Sequence, residues 1–535
     1  MKEGTTRILK VLAIALVVAL VRPGLASAQD DDHKIKPLPP KKSGSAATLR
    51  SSAAAGLASS WQLLTTQPPL LDFFDCGPGS PVLLTDGTVL VADNGCQDWW
   101  KLTPDQFGSY VNGTWSQIAS LPAGYSPLYH STAVLPDGRV IIEGGEYNFL
   151  TPEWTAQGAI YDPRADTWTP VAPPPFFTGF GPFPQTIGDA QATVLFDGTY
   201  MQSNCCKIEA ALLDTNTLTW TPTGSGKFDD YDEEGWTLLP NKQVLTVDAY
   251  VGKYDPAGMA FELYNPSSGE WSSPGGGTKV QLWDSAADCG GRRFASFEVG
   301  PAVLMNDGSV FATGANACGA AHTAVYKGSW KAGPDFPDHL GIADGPAALE
   351  PNGKVLMMAS PLVFRTPSTF FEWDGSSLSV APPAPNASND SSFYGNMLVL
   401  PTGQILFTDF FFVSVYNPSG TYNPAWQPVI QKAPSTVTPG GSYVISGHLF
   451  NGMSQGAAYG DDAQSATNYP IVRITNNATG HVFYSRTHDH SSMAVAFNGL
   501  VSTTFDVPAN QETGPSKLEV VANGIPSAPL SINVQ

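Results

Sequence analysis

The feature that most constrains the fold of this chain is a hairpin pattern that recurs along it. Each copy has an apolar run, a tight polar turn and a second apolar run, as in PVLLTDGTVLVADNG and STAVLPDGRVIIEGG. Asp-Gly and Asn-Gly suit such turns because they tolerate positive φ. The second turn residues stand at positions 87, 138, 198, 242, 308, 353 and 403. A unit repeated about every 50 residues predicts a β-propeller of seven blades, each with four short strands.

A second motif follows most of the hairpins and ends in tryptophan. It occurs as IYDPRADTW, LLDTNTLTW, LYNPSSGEW, VYKGSW and VYNPSGTYNPAW. We interpret these tryptophans as packing residues between blades rather than ligand-stacking residues. They are Trp168, Trp220, Trp271, Trp330 and Trp426. The 53 Gly and 46 Pro, with no long amphipathic helical pattern, favour an all-β chain. The propeller is expected over residues 61–430.

The hairpin repeat is absent from the sequence after the last blade. Residues 432–535 contain APSTVTPGGSYVISGHLF near their start and GPSKLEVVANGIPSAPLSINVQ at their end, with alternating strands but no hairpin repeat. This pattern predicts an immunoglobulin-like β-sandwich.

The N-terminal region has the signature of an exported protein. Basic residues precede the apolar run VLAIALVVALV, and ASA offers a small-residue cleavage site, so we predict a signal peptide at 1–28. Residues 29–60 are expected to be a flexible linker. No second membrane span is predicted, and the expected location is extracellular or periplasmic.

Six cysteines suggest three local disulfides, Cys76 with Cys96, Cys205 with Cys206, and Cys289 with Cys318. The formal net charge of -20 argues against nucleic acid as a partner.

The whole mature region resembles the galactose oxidase and glyoxal oxidase family. YHSTAVLPDGRVIIEGG is similar to that family's kelch-type blade motif, and SRTHDHSSMAVAF is similar to its C-terminal histidine loop. The resemblance implies a seven-bladed kelch-type propeller with a C-terminal early-set immunoglobulin-like domain. It also implies a copper centre with two tyrosines and two histidines, in which one tyrosine is cross-linked to cysteine and carries a radical.

The family's tyrosines stand eight residues before the hairpin turn. By that offset the resemblance assigns Tyr129 as the cross-linked tyrosine, Tyr394 as the axial tyrosine and Tyr147 as the stacking aromatic residue. Two positions depart from the family pattern. Gly395 stands where a histidine ligand follows the axial tyrosine, and Pro78 stands where the cross-linking cysteine belongs.

The remaining histidine ligand is assigned from the C-terminal loop. His490 or His488 matches it, with His490 favoured by its HSSM context. His130 can replace the lost histidine only if its side chain turns towards Tyr129. Because neighbouring side chains on a strand point to opposite faces, a structural role for His130 is the favoured interpretation.

The same offset finds acidic residues in the other blades. Asp189, Glu233 and Asp344 stand eight residues before their turns, Glu298 stands one position away in blade five, and Glu234 follows Glu233. If these carboxylates converge on the axis, a cation or protonation must offset their repulsion. The alternative is that they face solvent or pair with arginines, namely Arg292, Arg293 and Arg486.

Three classes of function fit these residues. One is a divergent copper oxidase of primary alcohols, aldehydes or carbohydrates that yields H2O2. The second is a non-redox enzyme whose acidic axial site holds calcium or manganese, since oxygen ligands favour hard cations. The third is a carbohydrate-binding propeller without catalysis. We expect a monomer in each case.

Overall fold

The computed structural model describes residues 59–69, 76–249, 259–283, 297–316 and 319–535. The predicted signal peptide and nearly all of the predicted linker lie outside these residues. Within them, seven antiparallel four-stranded units follow one another along the chain. The innermost strands touch between blades one and two, two and three, four and five, five and six, and six and seven, and that of blade seven touches that of blade one. The predicted all-β fold with a seven-bladed propeller is therefore confirmed.

Each blade starts at the propeller axis with the first apolar run of the hairpin motif. From the axis outward the strands are Gly77–Leu83, Val89–Asn94, Trp99–Thr103 and Thr114–Gln117 in blade one; Ser131–Val134, Val140–Glu143, Gly158–Asp162 and Thr167–Val171 in blade two; Ala192–Val194, Tyr200–Ser203, Ala210–Asp214 and Thr219–Thr223 in blade three; Thr237–Leu238, Val244–Val247, Phe261–Asn265 and Glu270–Ser272 in blade four; Ala302–Leu304, Val310–Thr313, Thr323–Tyr326 and Trp330–Ala332 in blade five; Ala347–Leu349, Val355–Pro361, Thr369–Trp373 and Leu378–Val380 in blade six; and Asn396–Val399, Ile405–Thr408, Val413–Asn417 and Ser60–Leu63 in blade seven.

The last blade is completed by the first strand of the described chain. Ser60–Leu63 pairs antiparallel with Val413–Asn417, and Gln67 Nε2 donates to the Val413 carbonyl at 2.9 Å.

The outer tryptophans also join blades. The indole N–H of Trp168 donates to the Ala119 carbonyl, and that of Trp220 donates to the Ala172 carbonyl. These bonds to the preceding blade's connection agree with the predicted packing role.

Short elements lie outside the regular blades. They are the strands Pro127–Leu128, Tyr147–Asn148, Thr151–Pro152 and Leu340–Gly341, with 3-10 turns at Ser392–Tyr394 and Pro424–Trp426. The described residues contain no helix long and apolar enough to cross a membrane. The disulfides Cys76–Cys96 and Cys205–Cys206 form as predicted. Cys289 and Cys318 lie outside the described residues.

The C-terminal region folds around a core of its own. Its strands are Val429–Lys432, Thr436–Val437, Ser442–His448, Ile471–Asn476, Val482–His488, Val501–Asp506, Gly514–Ala522, Ile525–Pro526 and Leu530–Val534. They form one continuous sheet, and strands from both halves of it contribute to a single apolar cluster that includes Ile445, Phe505 and Leu518. The sheet therefore closes on itself as a sandwich. Its first strand begins at Val429, inside the span expected for the propeller.

One segment of the sandwich enters the propeller. This axial segment comprises residues 455–467. Its strand Ala457–Ala458 pairs with the innermost strand of blade six. The Tyr459 hydroxyl donates to the Phe393 carbonyl at 2.8 Å, the Ala463 amide donates to the His130 carbonyl at 3.1 Å, and the Ser465 hydroxyl donates to the Pro81 carbonyl at 3.0 Å. The axial segment thus contacts blades six, seven, two and one.

Candidate functional site

Three of the residues that precede innermost strands share an unusual backbone conformation. Tyr129, Glu233 and Asp344 have φ values of 55°, 56° and 53°. All three stand at the position eight residues before the hairpin turn. Residues other than glycine rarely adopt this left-handed backbone region, and the strained residues that do are concentrated at functional sites. The repeat therefore places the same turn, with a different side chain, at the start of the innermost strands of blades two, four and six. We call this end of the axis the mouth.

Buried carboxylates from several blades converge at the mouth. Oxygens of Asp189, Glu233 and Asp461 lie within 4.8 Å of one another, and so do oxygens of Glu233, Glu298 and Asp344. All five residues are buried. The two groups share Glu233. Four of the five acidic residues found by the sequence offset are thus brought together.

Asp461 was not found by sequence reasoning. It lies in the axial segment, which is more than 100 residues from the propeller positions that it joins, so no repeat offset applies to it. Glycines let the segment approach: a Cβ on Gly460 would lie 2.3 Å from Asp344 Oδ1, and a Cβ on Gly235 would lie 2.0 Å from the Gly460 carbonyl oxygen. The sequence YGDDA carries only a weak signal, a glycine before paired acidic residues.

A buried amide without a hydrogen-bond partner stands two residues after Asp189 in the sequence. The carbonyl of Gln191 accepts the Ser203 amide at 3.2 Å, so Gln191 continues the ladder of the innermost strand of blade three. Residues two apart on a strand share a face, and Thr193 on that face accepts a hydrogen bond from Gln455 of the axial segment. The Gln191 side chain therefore faces the axial segment, two residues after Asp189. It is 0% exposed, and neither its Oε1 nor its Nε2 has a hydrogen-bond partner among the described residues.

Glu234 is the acidic candidate that does not face the axis. Its Oε1 accepts from Lys227 Nζ at 2.9 Å, and its Oε2 accepts from the Thr246 hydroxyl at 3.0 Å. Lys227 Nζ also lies 2.7 Å from Glu262 Oε2, 3.5 Å from Asp248 Oδ1 and in contact with Asp229. We call these five side chains the Lys227 cage. Two successive residues of the segment that leads into blade four therefore lie in different sites, Glu233 at the mouth and Glu234 in the cage.

Burial and the Lys227 ammonium act in opposite directions on the pKa of two carboxyl groups of the Lys227 cage. All five side chains are fully buried. Burial raises the pKa of Glu234 and Asp248 well above their usual values, and the Lys227 ammonium offsets this only in part. Burial alone would lower the pKa of Lys227, but the surrounding carboxylates raise it well above its usual value. The ammonium therefore stays charged at neutral pH.

Aromatic side chains form the other half of the mouth. Tyr129, Tyr147, Phe393 and Tyr394 belong to one buried cluster, with Phe364 and Phe411 packed against it and partly exposed. The rings of Tyr129 and Tyr147 meet edge to face at 6.1 Å, and those of Phe393 and Tyr394 meet at 4.4 Å. Burial raises the pKa of the Tyr394 phenol, with Asp390 adding to the effect. A protonated phenol is a hydrogen-bond donor to a ligand at neutral pH.

The predicted histidines lie elsewhere. The ring of His130 is buried against Trp99, and its Nδ1 lies 3.2 Å from the Thr132 hydroxyl, as expected for the structural interpretation. His488 contacts Asp489 and Asp506 of the sandwich through its two ring nitrogens. The His490 amide donates to the Pro136 carbonyl in the turn of blade two, at the opposite end of that strand from Tyr129. The histidine loop therefore docks on hairpin turns, and the axial segment occupies the axis instead.

These contacts bear on whether copper fits. Copper favours imidazole ligands, but the mouth assembles tyrosines and carboxylates. The rings of the three candidate histidines lie against Trp99, Asp506 and Thr503 instead. Gly395 has no side chain to offer, and Pro78 lies in the innermost strand of blade one. The donor set does not fit a copper-radical centre.

Arg486 does not neutralise the mouth, because it donates to the Asp137 carbonyl and pairs with Asp506. Arg292 and Arg293 lie outside the described residues.

The buried ring of His490 gives a first prediction. Burial lowers its pKa to about 3, and its Nδ1 contacts the Thr503 hydroxyl at 2.9 Å. The unfolded chain therefore binds a proton at this residue between pH 6.5 and 3 that the folded chain does not, so stability falls as pH falls through that window. We expect His490→Gln to reduce the pH slope of the free energy of unfolding by about 1.4 kcal/mol per pH unit between pH 6 and 4. Urea denaturation measures this slope. An unchanged slope in His490→Gln would contradict the prediction.

Comparisons with known proteins concern mainly the fold. No protein-family model matches the chain. The chain is 31% identical over 136 residues to the Kelch-like protein terF of Aspergillus terreus (strain NIH 2624 / FGSC A1156), which is 24% of this chain and 26% of that protein. It therefore matches about a quarter of that relative's length, and the match supports a kelch-like propeller.

Two solved structures match the chain at low identity and with TM-scores below 0.5. A fungal alcohol oxidase of the AA5 family in complex with copper is 17% identical, with a TM-score of 0.34 over 88% of this chain and 87% of that one. Virginiamycin B lyase from Staphylococcus aureus, solved as a catalytically inactive variant with quinupristin, is 10% identical, with a TM-score of 0.43 over 67% of this chain and 99% of that one.

Proposed function

We propose that the protein is secreted and binds a hard divalent cation, calcium or manganese, at the mouth of the propeller, and that the cation takes part in holding a carbohydrate or another polyol. The observation that carries the proposal is the pair of buried carboxylate groups that share Glu233, with oxygens within 4.8 Å. Carboxylate and amide oxygens are the ligands that calcium and manganese prefer. Two disulfides in the described chain are consistent with an oxidising compartment.

The aromatic half of the mouth supports the choice of ligand. A sugar has hydroxyl groups that can join a cation's ligands and C–H faces that can pack on aromatic rings. Tyr129, Tyr147 and Tyr394 offer ring faces and hydroxyl groups. The partly exposed Phe364 and Phe411 continue this apolar surface outward. The role proposed is non-redox, because the histidines that copper would need are engaged elsewhere.

Metal content tests the first part of the proposal. Protein stripped with a chelator is equilibrated with calcium, manganese, copper and zinc together, desalted and measured by mass spectrometry. We expect calcium or manganese at one or more ions per chain. At a concentration a thousandfold above Kd, the bound cation stabilises the fold by about 4 kcal/mol, which raises Tm. Copper alone, or no metal, would refute the proposal.

Matched variants connect the cation to the mouth. Glu233→Gln keeps the shape of the residue shared by both carboxylate groups but removes its charge. We expect this variant to lose the cation-dependent rise in Tm, while Glu270→Gln, at an exposed position in blade four, retains it. Monosaccharide binding, measured by calorimetry with and without chelator, then tests the ligand. Sugar binding that survives removal of the cation would restrict the site to the aromatic surface.

A further inference from the structure

The sequence contains four copies of the acceptor motif for N-linked glycosylation, Asn-x-Ser/Thr with x other than proline. They begin at Asn112, Asn386, Asn389 and Asn477. The motif can carry a glycan in the folded protein only where the amide nitrogen of the asparagine is accessible, because a glycan is bulky and lies in solvent. The four asparagines differ in this respect.

Asn112 presents its amide nitrogen to solvent. It is exposed and lies in the connection between the third and fourth strands of blade one. Its Oδ1 accepts a hydrogen bond from the Thr65 hydroxyl at 3.0 Å, and its Nδ2 has no partner in the part of the chain that the structure describes. Thr114, which supplies the hydroxyl of the motif, is exposed as well. Both functional groups of this motif can therefore be reached.

Asn477 is similarly placed in the sandwich. It is exposed and lies in the turn between the strands Ile471–Asn476 and Val482–His488. Its backbone amide donates to the Pro515 carbonyl at 3.0 Å, whereas its side chain has no hydrogen bond within the described ranges. The backbone of the turn is thus held in place, and the side chain is free to carry a substituent.

The other two asparagines use their amide nitrogens inside the protein. Asn386 is 8% exposed, and its Nδ2 donates to Asp390 Oδ1 at 2.6 Å. Asn389 donates in turn from its Nδ2 to Asn386 Oδ1 at 2.9 Å. A close-packed interior has no room for a glycan at Asn386. A glycan at Asn389 would disturb the hydrogen bond that holds the Asn386 amide.

We propose that Asn112 and Asn477 carry N-linked glycans and that Asn386 and Asn389 do not. This inference rests on the secretion included in the proposed function, because the glycosyl donor is met during export. In the transfer, Nδ2 forms a bond to the anomeric carbon of an oligosaccharide carried on a polyprenyl diphosphate. The bond from that carbon to the diphosphate oxygen breaks, the diphosphate leaves, and the amide gives up one proton.

The two glycans would lie on neighbouring loops at the end of the propeller that is opposite the mouth. The Tyr110 hydroxyl donates to the Gly87 carbonyl at 2.5 Å, so the connection in blade one lies beside the hairpin turn of that blade. The Val482 amide donates to the Gln106 carbonyl at 2.9 Å, so the sandwich hairpin packs on the same connection. Glycans at these positions leave the mouth open to its ligand.

Peptide mapping of the secreted protein tests the inference. The full chain is produced in a eukaryotic cell, collected from the medium and treated with peptide N-glycosidase in heavy-oxygen water, which converts each glycosylated asparagine into labelled aspartate. We expect the label at Asn112 and Asn477 and not at Asn386 or Asn389. Asn112→Gln and Asn477→Gln should each lower the intact mass by one glycan. Asn389→Gln, the matched control at an exposed position, should not remove a glycan.

The outcomes separate this inference from the proposed function. A secreted chain that carries no glycan, or carries it at Asn386 or Asn389 instead, would overturn the inference and leave the proposed secretion standing. A chain that stays in the cytosol without glycan would overturn both. The peptide map of the wild-type chain decides the matter even if a variant is not secreted.

Discussion

Lys227→Met is expected to destabilise the protein by about 3–5 kcal/mol at pH 8, because removing one partner of a buried ion pair leaves the other charges uncompensated. Lys227 is the ammonium at the centre of the cage, and Glu234, Glu262, Asp248 and Asp229 all lie against it. Methionine has a similar length, so the lost charge rather than a cavity dominates the effect. Urea denaturation followed by tryptophan fluorescence measures the loss. Lys327→Met, at a pair with Asp307 in which both side chains are 62% exposed, should change stability by less than about 0.5 kcal/mol.

The same variant makes a prediction about pH. Because folding raises the pKa of Glu234 and Asp248, the folded chain holds protons that the unfolded chain releases above about pH 4.5, and stability falls as pH rises through that window. Without the ammonium, these pKa values rise further. Lys227→Met should therefore lose more stability at pH 8 than at pH 5. The contribution of Lys227 itself is complete below its unfolded pKa and is lost only as pH rises through its raised folded pKa. An equal loss at both pH values would contradict this account of the cage.

Gly235→Ala is expected to displace the axial segment and weaken cation binding at the mouth. The added Cβ would lie 2.0 Å from the Gly460 carbonyl oxygen and 3.1 Å from its carbon, and neither backbone atom can rotate away as a side chain can. Overpacking of this kind costs about 1–3 kcal/mol. Asp461 follows Gly460 directly, so a shift of the segment moves a predicted ligand. We expect a lower urea midpoint and a Kd for Mn²⁺ at least about 10-fold higher.

A glycine elsewhere provides the control for this substitution. In Gly319→Ala the atoms nearest to the added Cβ belong to the Asn316 side chain, with Nδ2 the nearest at 3.2 Å, and this side chain can move. It should leave both the midpoint and the manganese affinity near their wild-type values. If Gly235→Ala behaves in the same way, the axial segment is not packed as described. Gly460→Ala, whose Cβ would contact Asp344 instead, then tests the opposite side of the segment.

The repeat made much of the propeller predictable from sequence. The turn residues of each hairpin predicted where the innermost strand ends. The spacing of eight residues before the turn then identified Asp189, Glu233 and Asp344 as residues at the mouth. The offset worked because the blades repeat a similar hairpin, and in blades two, four and six this includes a left-handed residue before the innermost strand. The sequence pattern predicts the position of a side chain correctly where the backbone of its own blade sets the direction of that side chain.

Residues whose positions depend on docking between distant parts were not predictable in this way. Asp461 reaches the mouth only because the axial segment pairs with blade six, a contact that no repeat encodes. His490 resembles a family ligand in its local motif, yet its position follows from how its loop meets Pro136. Glu234 differs from its neighbour Glu233 because the buried Lys227 ammonium holds it in the cage, a contact that the offset does not encode.

The strand that completes blade seven has a consequence for how the protein is made. Ser60–Leu63 pairs with Val413–Asn417, and the hydrogen bond from Gln67 to Val413 spans 346 residues. At a synthesis rate of about 5–20 residues per second, the ribosome needs tens of seconds to produce the partner of the first strand. During that time the nascent chain is an open arc with an unpaired strand edge at each end, which is the kind of edge that pairs with other chains. Only the arrival of the last blade turns the arc into a ring, so assistance from chaperones matters most just before synthesis of the propeller ends.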